Sequence, residues 1–284
     1  MQGYFGDDPS PLWPVDDNLF NGMTAIVLQY TPAGIIVAAD GLSRWGDDLS
    51  RDELARQGET DHEQKIFRGA FGGLDIAWAA SGAVFNRDKT FSLVCEITKA
   101  LHAANSRSVQ SFDSWLGAVA DDLRRSVSDA QTRGLLAPFS ENAALPLDSQ
   151  ERFTFARVFM AGYFYDGKPS IATIRLLHSN GVLTAPERLT QTPFMGIMYT
   201  GSAEIRKRYF GMHEDRRFFK YFRTPGEGLD HAVGYIEACS DPLAAEIDPL
   251  CKGIGGHIHA AIITPDAGFR WAIPPIEKAG SVNN

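Results

Sequence analysis

The sequence predicts a layered α+β domain in which stacked antiparallel sheets are covered by helices. Three observations lead there. Two β-hairpins, two helices, further strands, two more helices and closing strands follow one another in that order. Strands and helices do not alternate singly, which argues against a doubly wound parallel sheet. One run, Ile35 to Ala39, is apolar at every position, as in a strand covered on both faces.

Each element has its own signal. Thr24 to Tyr30 is β-branched and apolar, a strand. Thr31-Pro32-Ala33-Gly34 turns the chain into the Ile35–Ala39 run, making the first hairpin. Residues 44 to 62 are strongly polar and read as a loop or short surface helix. Lys65 to Phe67 and Leu74 to Ala80 form a second hairpin, its turn marked by Gly69, Gly72 and Gly73. Thr90 to Ala104 and Phe112 to Ala130 carry apolar residues at helical spacing, with Asp113 as the expected cap of the second. Residues 132 to 151 read as a loop. Strands resume at Thr154–Tyr165, Ser170–Leu177 and Met195–Tyr199. Helices are expected near Ala203–Phe210 and Leu229–Cys239, and closing strands at His257–Thr264 and Phe269–Ile273.

The chain has 284 residues, enough for one large domain or two small ones, and neither an internal repeat nor a linker divides it. Its 22% charged content is that of a folded protein. A net charge of −8 argues against nucleic acid as a partner. The three cysteines, Cys95, Cys239 and Cys251, form no CxxC pair and read as buried thiols of a reducing compartment. No stretch reaches the roughly 18 apolar residues of a membrane span. Residues 1–20 are acidic and Pro-rich, without the pattern of a secretory signal, so the expected location is the cytoplasm, with no membrane partner.

Chemistry gathers at strand ends. A threonine hydroxyl is a weak nucleophile that needs a base within hydrogen-bond reach. Its own α-amine, with a reference pKa of about 7.7–8, can serve when the threonine is the first residue. A lysine ammonium nearby favours the neutral amine. A carboxylate beside the lysine balances its charge. A backbone N–H at a glycine can face the developing oxyanion. Thr24 opens the first strand, Asp40 ends the second, Lys65 opens the third in EQKIF, and Gly82 follows the fourth in WAASGAV.

The segment MTAIVLQYTPAGIIVAADGLSR, followed by QKIF and AASGAV, resembles the opening of proteasome β-type subunits and of the bacterial heat-shock protease's peptidase subunit, both N-terminal nucleophile hydrolases. The resemblance implies a four-layer αββα sandwich. It implies Thr24 as nucleophile, Asp40 and Lys65 as its charge partners and Gly82 as oxyanion donor. Thr200, in MYTGSAE, stands where that family has a serine bonded to the nucleophile's amine. Asp248, in IDPLCKGIGGHIHAAII, is the candidate for the family's C-terminal Asp. It lies three residues early, and Ile254 occupies the family's serine position beside the matching Gly255-Gly256. The resemblance further implies a peptide or amide substrate, a homo-oligomer, an ATP-dependent unfoldase as a candidate partner, and no metal or cofactor.

The expected organisation is a leader or propeptide over residues 1–23, a hydrolase domain over 24–275 and a flexible tail over 276–284. The leader is either removed by self-cleavage or bypassed by translation from Met23. The family's residue before the threonine is Gly, and Met23 stands there instead. Two other functions stay open: an inactive scaffold of the same fold, and a small-molecule amidase. Residues 206–223 interleave basic and aromatic side chains and read first as a solvated face, next as a subunit contact and last as a nucleic-acid or acidic-membrane contact. His257 and His259, two apart on a strand, read as ordinary packing, since no third ligand is spaced to make a zinc site with them.

Overall fold

The computed structural model describes residues 24–42, 62–82, 90–107, 111–136, 153–163, 168–179, 182–183, 185–191, 197–210 and 222–276. The polar segment 44–62, the loop 132–151 and the core of the 206–223 stretch fall largely outside these residues, as does the leader.

The two hairpins form as the sequence predicts. Strands β1 (Ile26–Thr31) and β2 (Gly34–Ala39) pair antiparallel, Ile26 opposite Ala39. Strands β3 (Ile66–Phe71) and β4 (Leu74–Gly82) pair likewise, Ile66 opposite Ala79. Gly72 and Gly73 make the second turn, with φ of 57° and 86°. Gly69 belongs to β3 instead. The side chains of Ile76 and Trp78 close over it, and a Cβ there would lie 3.1 Å from each.

Helices α1 (Leu93–Asn105) and α2 (Phe112–Thr132) follow. The cap of α2 is Ser111, not Asp113: the Ser111 hydroxyl accepts from the Ser114 amide at 3.1 Å, while Asp113 is already helical. Ser92 caps α1 in the same way. Strands β5 (Phe153–Tyr163) and β6 (Pro169–Ser179) form a long hairpin. Two strands that the sequence did not reveal, β7 (Val182–Leu183) and β8 (Glu187–Gln191), both pair with β6. Strand β9 (Ile197–Tyr199) leads to α3 (Ala203–Phe210) and α4 (Pro225–Ser240). A short α5 (Ala244–Ile247) and a 3-10 turn (Pro249–Gly253), also unforeseen, precede β10 (His259–Thr264) and β11 (Gly268–Ile273).

The strands make two antiparallel sheets. One runs β11-β10-β2-β1-β9, the other β3-β4-β5-β6 with β7 and β8 beyond. Alternation along the strands decides which side chain meets what. Ile26, Leu28, Val37 and Ile263 of the first sheet pack with Ile66, Ala79, Phe159 and Ile171 of the second. Ala25, Val27, Ile36 and Ala260 point the other way and meet Ile205 of α3 and Ala232, Tyr235 and Ile236 of α4. On the second sheet, Trp78, Val158 and Ile174 meet Leu93 and Ile97 of α1 and Trp115 and Leu123 of α2. Burying each Ile or Leu contributes roughly 1.5–3 kcal/mol. The apolar seam between the sheets therefore joins them, and polar groups at its end can be arranged for other reasons.

Candidate active site

At one end of that seam, three chain segments bring charged groups under cover. Thr24 leads into β1, Asp40 leaves β2 and Lys65 leads into β3, so two residues come from the first sheet and one from the second. They are 8%, 0% and 9% exposed. Lys65 Nζ lies 3.0 Å from each Asp40 carboxylate oxygen, 2.6 Å from the Leu42 carbonyl and 3.3 Å from Thr24 Oγ. An ammonium has three N–H donors. One goes to the carboxylate, one to Leu42 and one to the threonine hydroxyl. As an ammonium Lys65 donates to Oγ and cannot accept its proton.

Asp40 is bound on several sides. Oδ1 accepts from the Ala25 amide at 2.9 Å, and Oδ2 from the amides of Leu42 at 3.2 Å and Gly255 at 3.3 Å. Burial pushes the Asp40 carboxyl up, opposed by the Lys65 ammonium and by the amides of Gly255 and Ala25. At 3.0 Å the ion pair is worth about 5 kcal/mol of Coulomb attraction at an effective dielectric near 20. Desolvation of each ion costs several kcal/mol. The pair is therefore a weak stabiliser.

The neighbouring group is neutral. Thr200 Oγ accepts from the Ile26 amide at 2.8 Å and donates to the Thr24 carbonyl at 2.9 Å. It fixes the backbone on both sides of Ala25; its bonds run to that backbone and not to the Thr24 amine. Gly201 follows with φ of 107°, and a Cβ there would lie 2.9 Å from Tyr235 Oη. That phenol donates to the carbonyls of Thr200 and Ser202, each at 3.1 Å. Asp248 stands one step further back: Oδ2 accepts from Ser202 Oγ at 2.5 Å and Oδ1 from the Leu250 amide. Cys239 and Cys251 lie beside Ser202. Their mutual hydrogen bond holds Cys239 below the usual thiol range, and the same bond with burial pushes Cys251 up. Cys95, expected to be buried, is exposed on α1.

Gly82 ends β4 opposite Ala156 with φ of 96°. Sequence reasoning read His259 as ordinary packing and did not single out Tyr235 or Gly201. Of these only His259 left a signal, a titratable residue at the head of a mostly apolar strand. Among the described residues no group of three or more His, Cys, Asp or Glu side chains is placed to hold a metal ion. No helix among them is long and apolar enough to cross a membrane.

The fold is α+β with two antiparallel sheets, and solved structures share it. A helical assembly of the Anbu complex from Pseudomonas aeruginosa matches at 14% identity and a TM-score of 0.54, over 90% of this chain and 88% of that one. An Anbu (Gly-1) mutant from Hyphomicrobium sp. strain MC1 matches at 14% identity and 0.56 over the same shares. Anbu (ancestral beta-subunit) from Yersinia bercovieri matches at 12% identity and 0.54, over 88% and 87%. No family model matches the chain, and no curated protein does.

These findings correct the resemblance read from the sequence. These structural relatives are Anbu proteins, which are proteasome-like but a distinct family, and neither a family model nor a curated protein supports proteasome β-type subunits or the heat-shock peptidase. The physical reason is the shortness of the matching segments. Two hairpins with an Asp and a Lys at their ends specify a proteasome-related fold, and that fold is common to more than one family.

Proposed function

We propose that this chain is a threonine hydrolase of the N-terminal nucleophile type on an Anbu-like fold, cleaving peptide or amide bonds. The observation that carries the reading is the 3.3 Å contact from Lys65 Nζ to Thr24 Oγ, with Asp40 holding the same ammonium. We read residues 24–275 as one domain whose sheets and helices stack as four layers, αββα.

In this reading Thr24 carries a free α-amine. Oγ attacks the substrate carbonyl and its proton passes to that amine, directly or through a water. Lys65 stabilises the charge on Oγ as the proton leaves. The Gly82 amide faces the oxyanion of the tetrahedral intermediate. The C–N bond breaks, the leaving amine takes the proton, and an ester on Thr24 remains. Water hydrolyses that ester and restores the hydroxyl. Thr200 holds the backbone from Thr24 to Ile26, and Asp248 supports the Ser202 turn behind it. The helical assembly reported for the Pseudomonas aeruginosa Anbu complex supports self-association of this chain as well.

Intact mass and N-terminal sequencing of protein from its native context test the requirement first. A chain beginning at Thr24 exposes the amine. A chain in which Thr24 stays amide-linked to Met23 lacks its base, and the scaffold reading takes over. Thr24→Ala then tests the chemistry: hydrolysis of amide substrates is expected to vanish, and a variant as active as the native protein overturns the mechanism.

A further inference from the structure

His259 opens β10 in the first sheet, and its side chain crosses to the second. Nε2 lies 2.9 Å from the Lys65 amide nitrogen and 3.3 Å from that of Ile66. Both partners are obligatory donors, so Nε2 carries the lone pair and the ring proton sits on Nδ1. A backbone hydrogen bond with His257 engages the ring from its own chain. The imidazole is 1% exposed and rests edge-on against Trp271, ring centroids 6.3 Å apart.

The location gives this bond a consequence. Among the described residues β3 pairs with β4 alone. At its start the amides of Lys65 and Ile66 both donate to His259 Nε2. It fixes the backbone from which the Lys65 side chain departs. That side chain ends at a 3.3 Å contact with Thr24 Oγ, near the long limit of a hydrogen bond. A small shift of the Lys65 backbone breaks it.

We propose that His259 is a positioning residue of the candidate active site, an acceptor on the first sheet that sets where Lys65 meets Thr24 and Asp40. The inference rests on the hydrolase reading above. It assigns His259 no contact with substrate; the residue acts through Lys65.

The test is acylation of Thr24 in the full protein by an N-acyl β-lactone. Oγ attacks the lactone carbonyl, the ring C–O bond opens, the released alkoxide takes the proton, and the protein gains the mass of the reagent. In His259→Leu the maximal acylation rate is expected to fall about 10- to 100-fold, the scale of a roughly 1 Å misplacement, with the half-saturating concentration unchanged within about twofold. His259→Gln keeps an acceptor oxygen within reach of both amides, and its rate is expected to recover to within about fivefold of wild type. Amide hydrogen exchange supplies a readout independent of chemistry: Lys65 and Ile66 exchange faster in the Leu variant and are protected again in the Gln variant. Should the Leu variant fail to fold, His259→Asn, polar but too short to reach both amides, takes its place with the same expectation. Wild type acylated at Thr24, with the Leu or Asn variant acylated at the same maximal rate, overturns the positioning role alone. Wild type beginning at Thr24 yet not acylated overturns the hydrolase reading, and the positioning role with it.

Discussion

The two halves of the site are built differently. Around Lys65 the groups are charged, come from both sheets and bind one another through side chains. Around Thr200 they are neutral hydroxyls: Thr200 Oγ bonds the Ile26 amide and the Thr24 carbonyl at the head of β1, and Tyr235 Oη holds the Thr200 carbonyl behind it. On the proposed mechanism the charged half sets reactivity at Oγ, whereas the neutral half sets where the Thr24 backbone lies. Damage to the first should therefore be costly and sensitive to pH, and damage to the second milder and local.

The sharpest break is Asp40→Ala. It leaves the Lys65 ammonium buried without its counter-ion, and about 3–5 kcal/mol of stability should be lost in denaturant unfolding, along with any hydrolysis. A loss below about 1 kcal/mol would mean that water reaches Lys65 freely, and the contrast between the halves would fail.

Next is the pH dependence of His259, lowered from 6.5 to about 4, chiefly by burial. Between those values the unfolded chain binds a proton that the folded chain refuses. Stability from this residue is whole above about pH 6.5 and declines as pH falls toward about 4, by roughly 3 kcal/mol in total. The groups acting on the ring are Lys65 and His257. Subtracting the His259→Gln stability curve from that of wild type isolates the effect. A flat difference across that window would place the imidazole in solvent.

On the neutral side, Gly201→Ala forces a side chain into a φ of 107° and against Tyr235 Oη, at a cost of about 1–3 kcal/mol. Thermal unfolding checks it; a shift within error would mean that the turn can reshape. The smallest expected effect is Thr200→Val, about 1–2 kcal/mol for the two hydrogen bonds to the β1 backbone, with Thr200→Ser nearly neutral. If Val and Ser cost the same, the hydroxyl is not what holds β1.

The same division explains what could be read from the sequence. The charged half sits on two local hairpins. Continuous apolar runs predicted those strands, and the residues at their ends followed. The neutral half depends on where β9, α4 and the 3-10 turn meet, contacts that no local pattern encodes. Asp248, a carboxylate that backs that half through Ser202, was a candidate from the sequence, but Ser202 was not. β8, with the polar sequence ERLTQ, pairs along β6 without an alternation that would mark it. Ser111 took the cap from Asp113 because the residue just before the first helical position holds the non-helical backbone that a cap requires. His259 looked like packing because its value lies in two amides from a distant strand. The family was misread for a related reason: short strand-end motifs record a fold, and a fold serves several families.

Lys65 stands on one sheet while Thr24 and Asp40 stand on the other. Neither hairpin alone therefore holds a competent nucleophile. A nascent or partly melted chain with both hairpins formed but its sheets undocked carries Thr24 without the ammonium that sensitises it. On the proposed mechanism, hydrolysis requires the two sheets to be docked, so a chain with both hairpins formed but its sheets apart is silent.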